Sequence, residues 1–301
     1  MNKKLMRRRS FFRTSSLALI PGFLGFPRFY STRNGIISPT LTLNAYSFNH
    51  ELLHGEMSIP DLFRFAAETG FHGVDLTAYY IPGYPEVPED SVLFDIKRQA
   101  FRWGLAISGT GVRNDFTLSG PENLEKEINL VKNWIRAASR LGVPHVRVFD
   151  GRSSSSGNSR EILKSQVIES FRECAAFASG YGVMVAFQNH NDFIVAADEV
   201  IEIMEAVDSG WFGLMLDIGS LPAPDPYREI EKLIPYAISW QVKEHVLTER
   251  GPVPTDFEKL MKIVHRQGYH GYFPLETLGK ENTKERVKIL HRRVSSAMDR
   301  V

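Results

Sequence analysis

One rhythm governs this chain from residue 40 onward, and few folds can accommodate it. A glycine closes a helical stretch, a short apolar strand follows, polar residues stand at its C-terminal end, and a new helical stretch begins. The strands read TLTLNAY (40–46), GVDLT (73–77), LAISG (105–109), HVRVF (145–149), VMVAFQ (183–188), GLMLD (213–217), ISWQVK (238–243) and YFPLE (272–276). The glycines Gly73, Gly104, Gly142, Gly182 and Gly213 are 31, 38, 40 and 31 residues apart, and Gly271 follows 58 further on, past one more strand. Each interval holds a strand, a loop and a helix.

The intervening segments carry helical periodicity. ENLEKEINLVKNWIRAASRLG places Leu124, Ile128, Val131, Ile135 and Leu141 on one face. ADEVIEIMEAV and DFEKLMKIVHRQG repeat the pattern, the latter ended by Gly268. Eight strands alternating with helices over about 260 residues predict an α/β fold, a single (β/α)8 TIM barrel. A doubly wound open sheet is the alternative; the lack of a Gly-x-Gly-x-x-Gly turn after the first strand counts against it.

The first thirty residues follow a different logic. Arg7-Arg8-Arg9-Ser10-Phe11-Phe12-Arg13 matches a twin-arginine export pattern. The apolar run TSSLALIPGFLGF (Thr14 to Phe26) behind it is too short to span a bilayer. The expectation is a signal peptide over 1–30, a barrel domain over 36–301 and an extracytoplasmic, periplasmic destination. No clear Ala-x-Ala site follows, so retention as an uncleaved anchor stays open, and stable membrane insertion is expected only in that case. The segment holds seven basic side chains and no acid, so a chain of net charge +1 leaves a body of −6. An acidic body speaks against a nucleic-acid partner, which requires a basic surface. Homo-oligomerisation stays open. The lone Cys174 lies in a helical pattern and reads as a small core residue.

In a barrel, polar residues at strand C-termini converge on one face, where catalysis takes place. Alternate residues of a strand share a side. Ala186, Gln188 and His190 therefore group together, as do Met215 and Asp217, Gln241 and Lys243, and Pro274 and Glu276. Four consecutive strands offer Gln188, Asp217, Gln241 and Glu276 at matching heights. Two carboxylates and two amide oxygens can hold a hard cation, Mg²⁺ or Mn²⁺. The plainer alternative is a set of caps and ion pairs.

These stretches resemble the xylose isomerase-like TIM barrel family, which includes sugar isomerases and epimerases and is related to the endonuclease IV fold. Its fifth strand typically ends Glu-Asn-His, its sixth Leu-Asp-x-Gly-His, its seventh His-x-Lys-Asp, and its eighth carries a final Glu. Here they read Gln188-Asn189-His190, Leu216-Asp217-Ile218-Gly219-Ser220, Gln241-Val242-Lys243-Glu244 and Leu275-Glu276. GFHGVDL (70–76) resembles the second-strand signature, with Asp75 where Glu is usual, and Arg147 matches a fourth-strand arginine.

The resemblance implies a divalent metal at Gln188, Asp217, Gln241 and Glu276, with two glutamines standing at positions the family fills with Glu and His. An amide cannot act as a general base, so Glu276 is left as the carboxylate base, with His190 as the second candidate. Lys243 is expected either to stabilise an oxyanion or to bridge Asp217 and Glu276 and make the metal dispensable. Arg147, Asn114, Asn191 and Glu244 are the candidate substrate-binding residues. The implied function is proton transfer alpha to a carbonyl on a non-phosphorylated sugar or keto-glycoside: isomerisation, epimerisation or elimination. A non-catalytic carbohydrate-binding barrel is the alternative; endonuclease chemistry is opposed by the acidic body and the shortage of strand-end histidines.

Overall fold

All eight expected strands form and close on themselves. The computed structural model describes residues 38–152, 159–190 and 192–301; the expected leader, the serine-rich residues 153–158 and Asn191 lie outside them. The strands are β1 (Thr40–Asn44), β2 (Gly73–Asp75), β3 (Ala106–Gly111), β4 (His145–Val148), β5 (Met184–Gln188), β6 (Phe212–Asp217) and β7 (Ala237–Lys243), then β8 (His245–Thr248), β9 (Gly251–Pro254) and β10 (Tyr272–Glu276). The barrel is parallel and closed in the order β1-β10-β7-β6-β5-β4-β3-β2. The antiparallel pair β8–β9 stands apart from it. The sequence gives no hint of that hairpin: its strands are four residues long, and β9 holds two prolines and is exposed over three of its four residues, so no alternation of polarity marks it.

Among the described residues the helices are α1 (Asn49–Leu53), α2 (Ile59–Thr69), α3 (Asp90–Arg102), α4 (Pro121–Leu141), α5 (Arg160–Ser179), α6 (Ala197–Val207), α7 (Pro226–Leu233), α8 (Phe257–Arg266) and α9 (Thr283–Met298). Local chemistry sets their ends. Ser58 caps α2 reciprocally with Asp61, satisfying amides that the helix leaves open. Pro121 opens α4, and Gly142 at φ 76° closes it in a left-handed conformation that a side chain would resist. The stripe Ile128, Val131, Ile135 and Leu141 of α4 is buried against the sheet, as periodicity predicted. Cys174 is likewise buried in the helical layer. None of the helices among the described residues is long and apolar enough to cross a membrane.

Two features shape the barrel interior. The register of β2 against β3 slips: Val74 faces Ile107, but Asp75 faces Gly109. Such a bulge re-aims the side chains that follow it. Beyond it, β3 presents glycine where its neighbours present large polar groups. A Cβ on Gly109 would stand 2.5 Å from His145 Nε2 and 2.8 Å from Asp75 Oδ2. One on Gly111 would stand 2.8 Å from Arg147 Nε. The third strand thus gives up its own side chains to make room for groups from β2 and β4. Gly109→Ala is expected to destabilise the fold by about 1–3 kcal/mol, the usual cost of overpacking, in chemical denaturation; an unchanged midpoint would mean that the two polar groups have room to retreat.

Candidate active site

The four side chains expected to meet do meet. Asp217 and Gln241 are paired across β6–β7, and Glu276 and Lys243 across β10–β7. Gln188 Nε2 donates to Asp217 Oδ2 at 2.9 Å and to Gln241 Oε1 at 2.8 Å. Lys243 Nζ donates to Asp217 Oδ2 at 2.7 Å and lies 3.4 Å from Glu276 Oε1. Asp217, Glu276 and Lys243 are 0%, 3% and 8% exposed. Charges so far from water must be compensated locally, and here one ammonium serves two carboxylates.

That ammonium bears on the expected metal. One oxygen, Asp217 Oδ2, already accepts from Lys243, from Gln188 and from Ser220, whose Oγ donates to it at 3.0 Å. In the alternative amide rotamer of Gln241, its nitrogen lies 3.3 Å from both Asp217 Oδ2 and Glu276 Oε2, and its oxygen turns to Asn44 Nδ2. Gln188 Nε2 donates to Asp217 whichever rotamer Gln241 takes, and in the alternative rotamer a Gln241 N–H points at Asp217 as well. Among the described residues no group of three His, Cys, Asp or Glu side chains is arranged to hold a metal ion. The residues present therefore do not fit a divalent cation: two anions, shared with a fixed positive charge a few ångströms away, would have to hold it against that charge. The bridge between carboxylates, one of the two roles read from the sequence for Lys243, is present in its contacts.

Burial drives the titration of these groups. Glu276 is pushed above the usual carboxylate range by burial, opposed by Lys243 and reinforced by Asp217. For Lys243, burial alone would favour the neutral amine, but Asp217 and Glu276 outweigh it and hold the group charged above its ordinary pKa. Asp75 is pushed up to about 6 by burial, against the pull of Arg147 and with the help of Glu276. His145, in the same interior, is held neutral, lowered to about 4 by burial and by Arg147.

The remaining candidates divide. Arg147 enters the mouth from β4, donates to Val112 O at 2.7 Å and Tyr79 OH at 3.3 Å, and lies 4.1 Å over the Phe149 ring. His190 lies just past the end of β5, so strand alternation no longer fixes it. It sits on the rim with its side chain 44% exposed, its ring 4.9 Å from Phe149 and its Nδ1 3.0 Å from Asp192 Oδ2. Asn114 is consumed structurally: it donates to Phe149 O and accepts from Phe149 N, prolonging the β3–β4 ladder with a side chain. Glu244, one residue past Lys243, turns to the opposite side and pairs with Arg286 of α9.

Three residues outside the set of candidate site residues shape the site. Asn189 donates to Asp217 O and accepts from Asp217 N, both at 2.9 Å, and so fixes the aspartate's backbone as Asn114 fixes Phe149. Asp75 and His145 leave Oδ2 and Nε2 without hydrogen-bond partners inside the barrel. The glycines of AISGTG carried the signal, because an inward strand position without a side chain implies a large neighbour.

A family model described as xylose isomerase-like TIM barrel matches residues 63–293. No curated protein sequence matches the chain. Among solved structures, 3-keto-D-glucoside 4-epimerase from E. coli superposes with a TM-score of 0.70 at 13% identity, over 86% of this chain and 100% of that one. D-psicose 3-epimerase from Clostridium cellulolyticum, solved with D-tagatose, gives 0.67 at 16% identity over 86% and 97%. A xylose isomerase-like TIM barrel protein from Mycobacterium smegmatis, in complex with magnesium, gives 0.63 at 19% over 87% and 98%. At these identities the likeness establishes the fold.

Two outcomes follow from the charge arrangement. The purified chain is expected to carry only substoichiometric Mg²⁺ or Mn²⁺, and EDTA is expected to leave its melting temperature unchanged, because a bound ion would stabilise the folded state; a stoichiometric ion whose removal lowers Tm would overturn the lysine-bridged reading. The raised carboxyl of Asp75 means that the folded chain holds its proton more tightly than the unfolded one, from which the residue ionises near 3.8. Stability therefore falls as pH rises from about 4 to about 6 and stays lower above, by about 3 kcal/mol for this group. Asp75→Asn is expected to remove that part of the slope in denaturation curves taken across this range.

Proposed function

The chain belongs to the xylose isomerase-like TIM barrel family, and from that premise we propose that it is a sugar isomerase- or epimerase-like enzyme moving a proton alpha to a carbonyl of a non-phosphorylated sugar or keto-glycoside. The observation that carries the reading is the buried Glu276–Lys243–Asp217 cluster at the C-terminal ends of three adjacent strands. Catalytic groups of TIM barrels stand at this end.

Each residue has a task its surroundings support. Glu276, raised by burial, is a stronger base in its ionised form than an exposed carboxylate, which suits it to taking a proton from carbon. The Lys243 ammonium, locked by Asp217, lies where charge would develop on the carbonyl oxygen and stabilises the enediolate. It supplies the electrostatic role without a divalent ion. Gln188, Gln241 and Asn189 hold Asp217 in place. Arg147 and the rim His190, oriented by Asp192, are suited to binding hydroxyls. The twin-arginine-type leader, Arg7 and Arg8 with the apolar run behind them, supports an extracytoplasmic place of work and hence a substrate without phosphate.

The test is solvent exchange. In D₂O with a 3-keto-D-glucoside or D-psicose as probe, deuterium is expected at the carbon beside the carbonyl, and Glu276→Gln should slow its incorporation by about 10²–10⁴-fold. Binding of the sugars without exchange would leave the carbohydrate-binding barrel as the better reading, the glutamines at 188 and 241 then marking lost chemistry.

A further inference from the structure

With Gln188 in place of an acid, the proposed reaction has one carboxylate base in the β5–β10 half of the mouth and needs a second proton-transfer group. The sheet supplies one on the other side of Glu276. Leu43 pairs with Leu275, so Asn44 and Glu276 stand side by side on β1 and β10, and Asn44 in turn pairs with Asp75 on β2. Glu276, Asn44 and Asp75 therefore stand in a row at one height. Two strand spacings separate the outer pair, about 10 Å between backbones, with β1 and its Asn44 between them.

The Asp75 carboxyl is built into this position. It is 4% exposed, and its Oδ2 is buried without a hydrogen-bond partner. An unsatisfied buried acceptor is costly and rare in a folded protein, and it points to a group that takes its partner from a ligand. The bulge between β2 and β3 aims the side chain, and Gly109 clears the space for it. His145 Nε2, also buried and unpartnered, lies 2.5 Å from the Gly109 Cβ position while Asp75 Oδ2 lies 2.8 Å from it, so the two atoms are at most 5.3 Å apart.

We propose that Asp75 is a second catalytic acid–base residue, acting on the substrate from the side opposite Glu276. This rests on the proton-transfer reading above. Glu276 takes the proton from the carbon beside the carbonyl, and the C–H electron pair becomes the double bond of an enediolate whose oxygen faces Lys243. Protonated Asp75 then delivers its proton to the enediolate carbon from the other face, yielding the epimer. The step leaves Glu276 protonated and Asp75 ionised, and exchange with solvent resets both. The displaced acidity of Asp75 agrees with the geometry, because burial and the nearby Glu276 keep a proton available on it.

The experiment compares two rates in the same D₂O reaction, with 3-keto-D-glucoside and D-psicose as probes. One is deuterium in recovered substrate, which reports removal of the proton; the other is formation of product. Asp75→Asn is expected to keep exchange within a few-fold while product formation falls by about 100-fold or more. Asp75→Glu is expected to restore most of the product, and Glu276→Gln to lose both rates together. The ratio of the two rates is internal to each variant, so it does not depend on how much of the variant is folded. If Asp75→Asn keeps its product rate, or loses both rates in proportion, the role of Asp75 is overturned while the proton-transfer reading stands. If the wild-type chain exchanges no proton in either probe, both fall.

Discussion

The site depends on one interaction, the Lys243 ammonium held between the carboxylates of Asp217 and Glu276. Three charges lie where water hardly reaches, and none would be tolerable there alone. The lysine can serve both acids because β7 lies between β6 and β10 in the barrel order, with Glu276 directly opposite Lys243 in register and Asp217 opposite Gln241 one step below. The same contact keeps the lysine protonated and holds Asp217 more closely than Glu276, at 2.7 Å against 3.4 Å.

Around this cluster the barrel spends side-chain hydrogen bonds on rigidity. Asn114 and Asn189 each pair with both backbone groups of a residue on the next strand, Phe149 and Asp217, and extend the ladder past the end of regular sheet. They hold the strand ends where the clustered polar side chains leave the scaffold. The opposite half of the mouth is organised by omission. Gly109 and Gly111 yield their volume to His145, Asp75 and Arg147, so polar groups from three strands share an interior that would otherwise be filled by apolar layers.

Much of this was legible in the sequence. Strand positions followed from apolar runs between glycines, and Asp217, Lys243 and Glu276 followed from alternation within those runs, because parity along a strand is a local property. What failed to carry was any inference that left the strand. His190 lies beyond the last regular residue of β5, so its parity argument lapsed and it came to rest on the rim. Glu244 belongs to the opposite parity from Lys243 and found Arg286. The β8–β9 hairpin is too short and too proline-rich to announce itself.

The sequence by itself determined a closed parallel barrel and the set of acids, amides and lysine at its C-terminal end, since period, glycine spacing and strand parity need only neighbours along the chain. Only the tertiary structure decided what those groups do to one another. A lysine and two carboxylates in register could have flanked a metal or replaced it, and that depends on ångströms across three strands. Asp75 illustrates the same division: its identity is local, but its burial, its unpartnered oxygen and its place beside Asn44 opposite Glu276 come from a register slip between β2 and β3 and from strand order around the closed sheet.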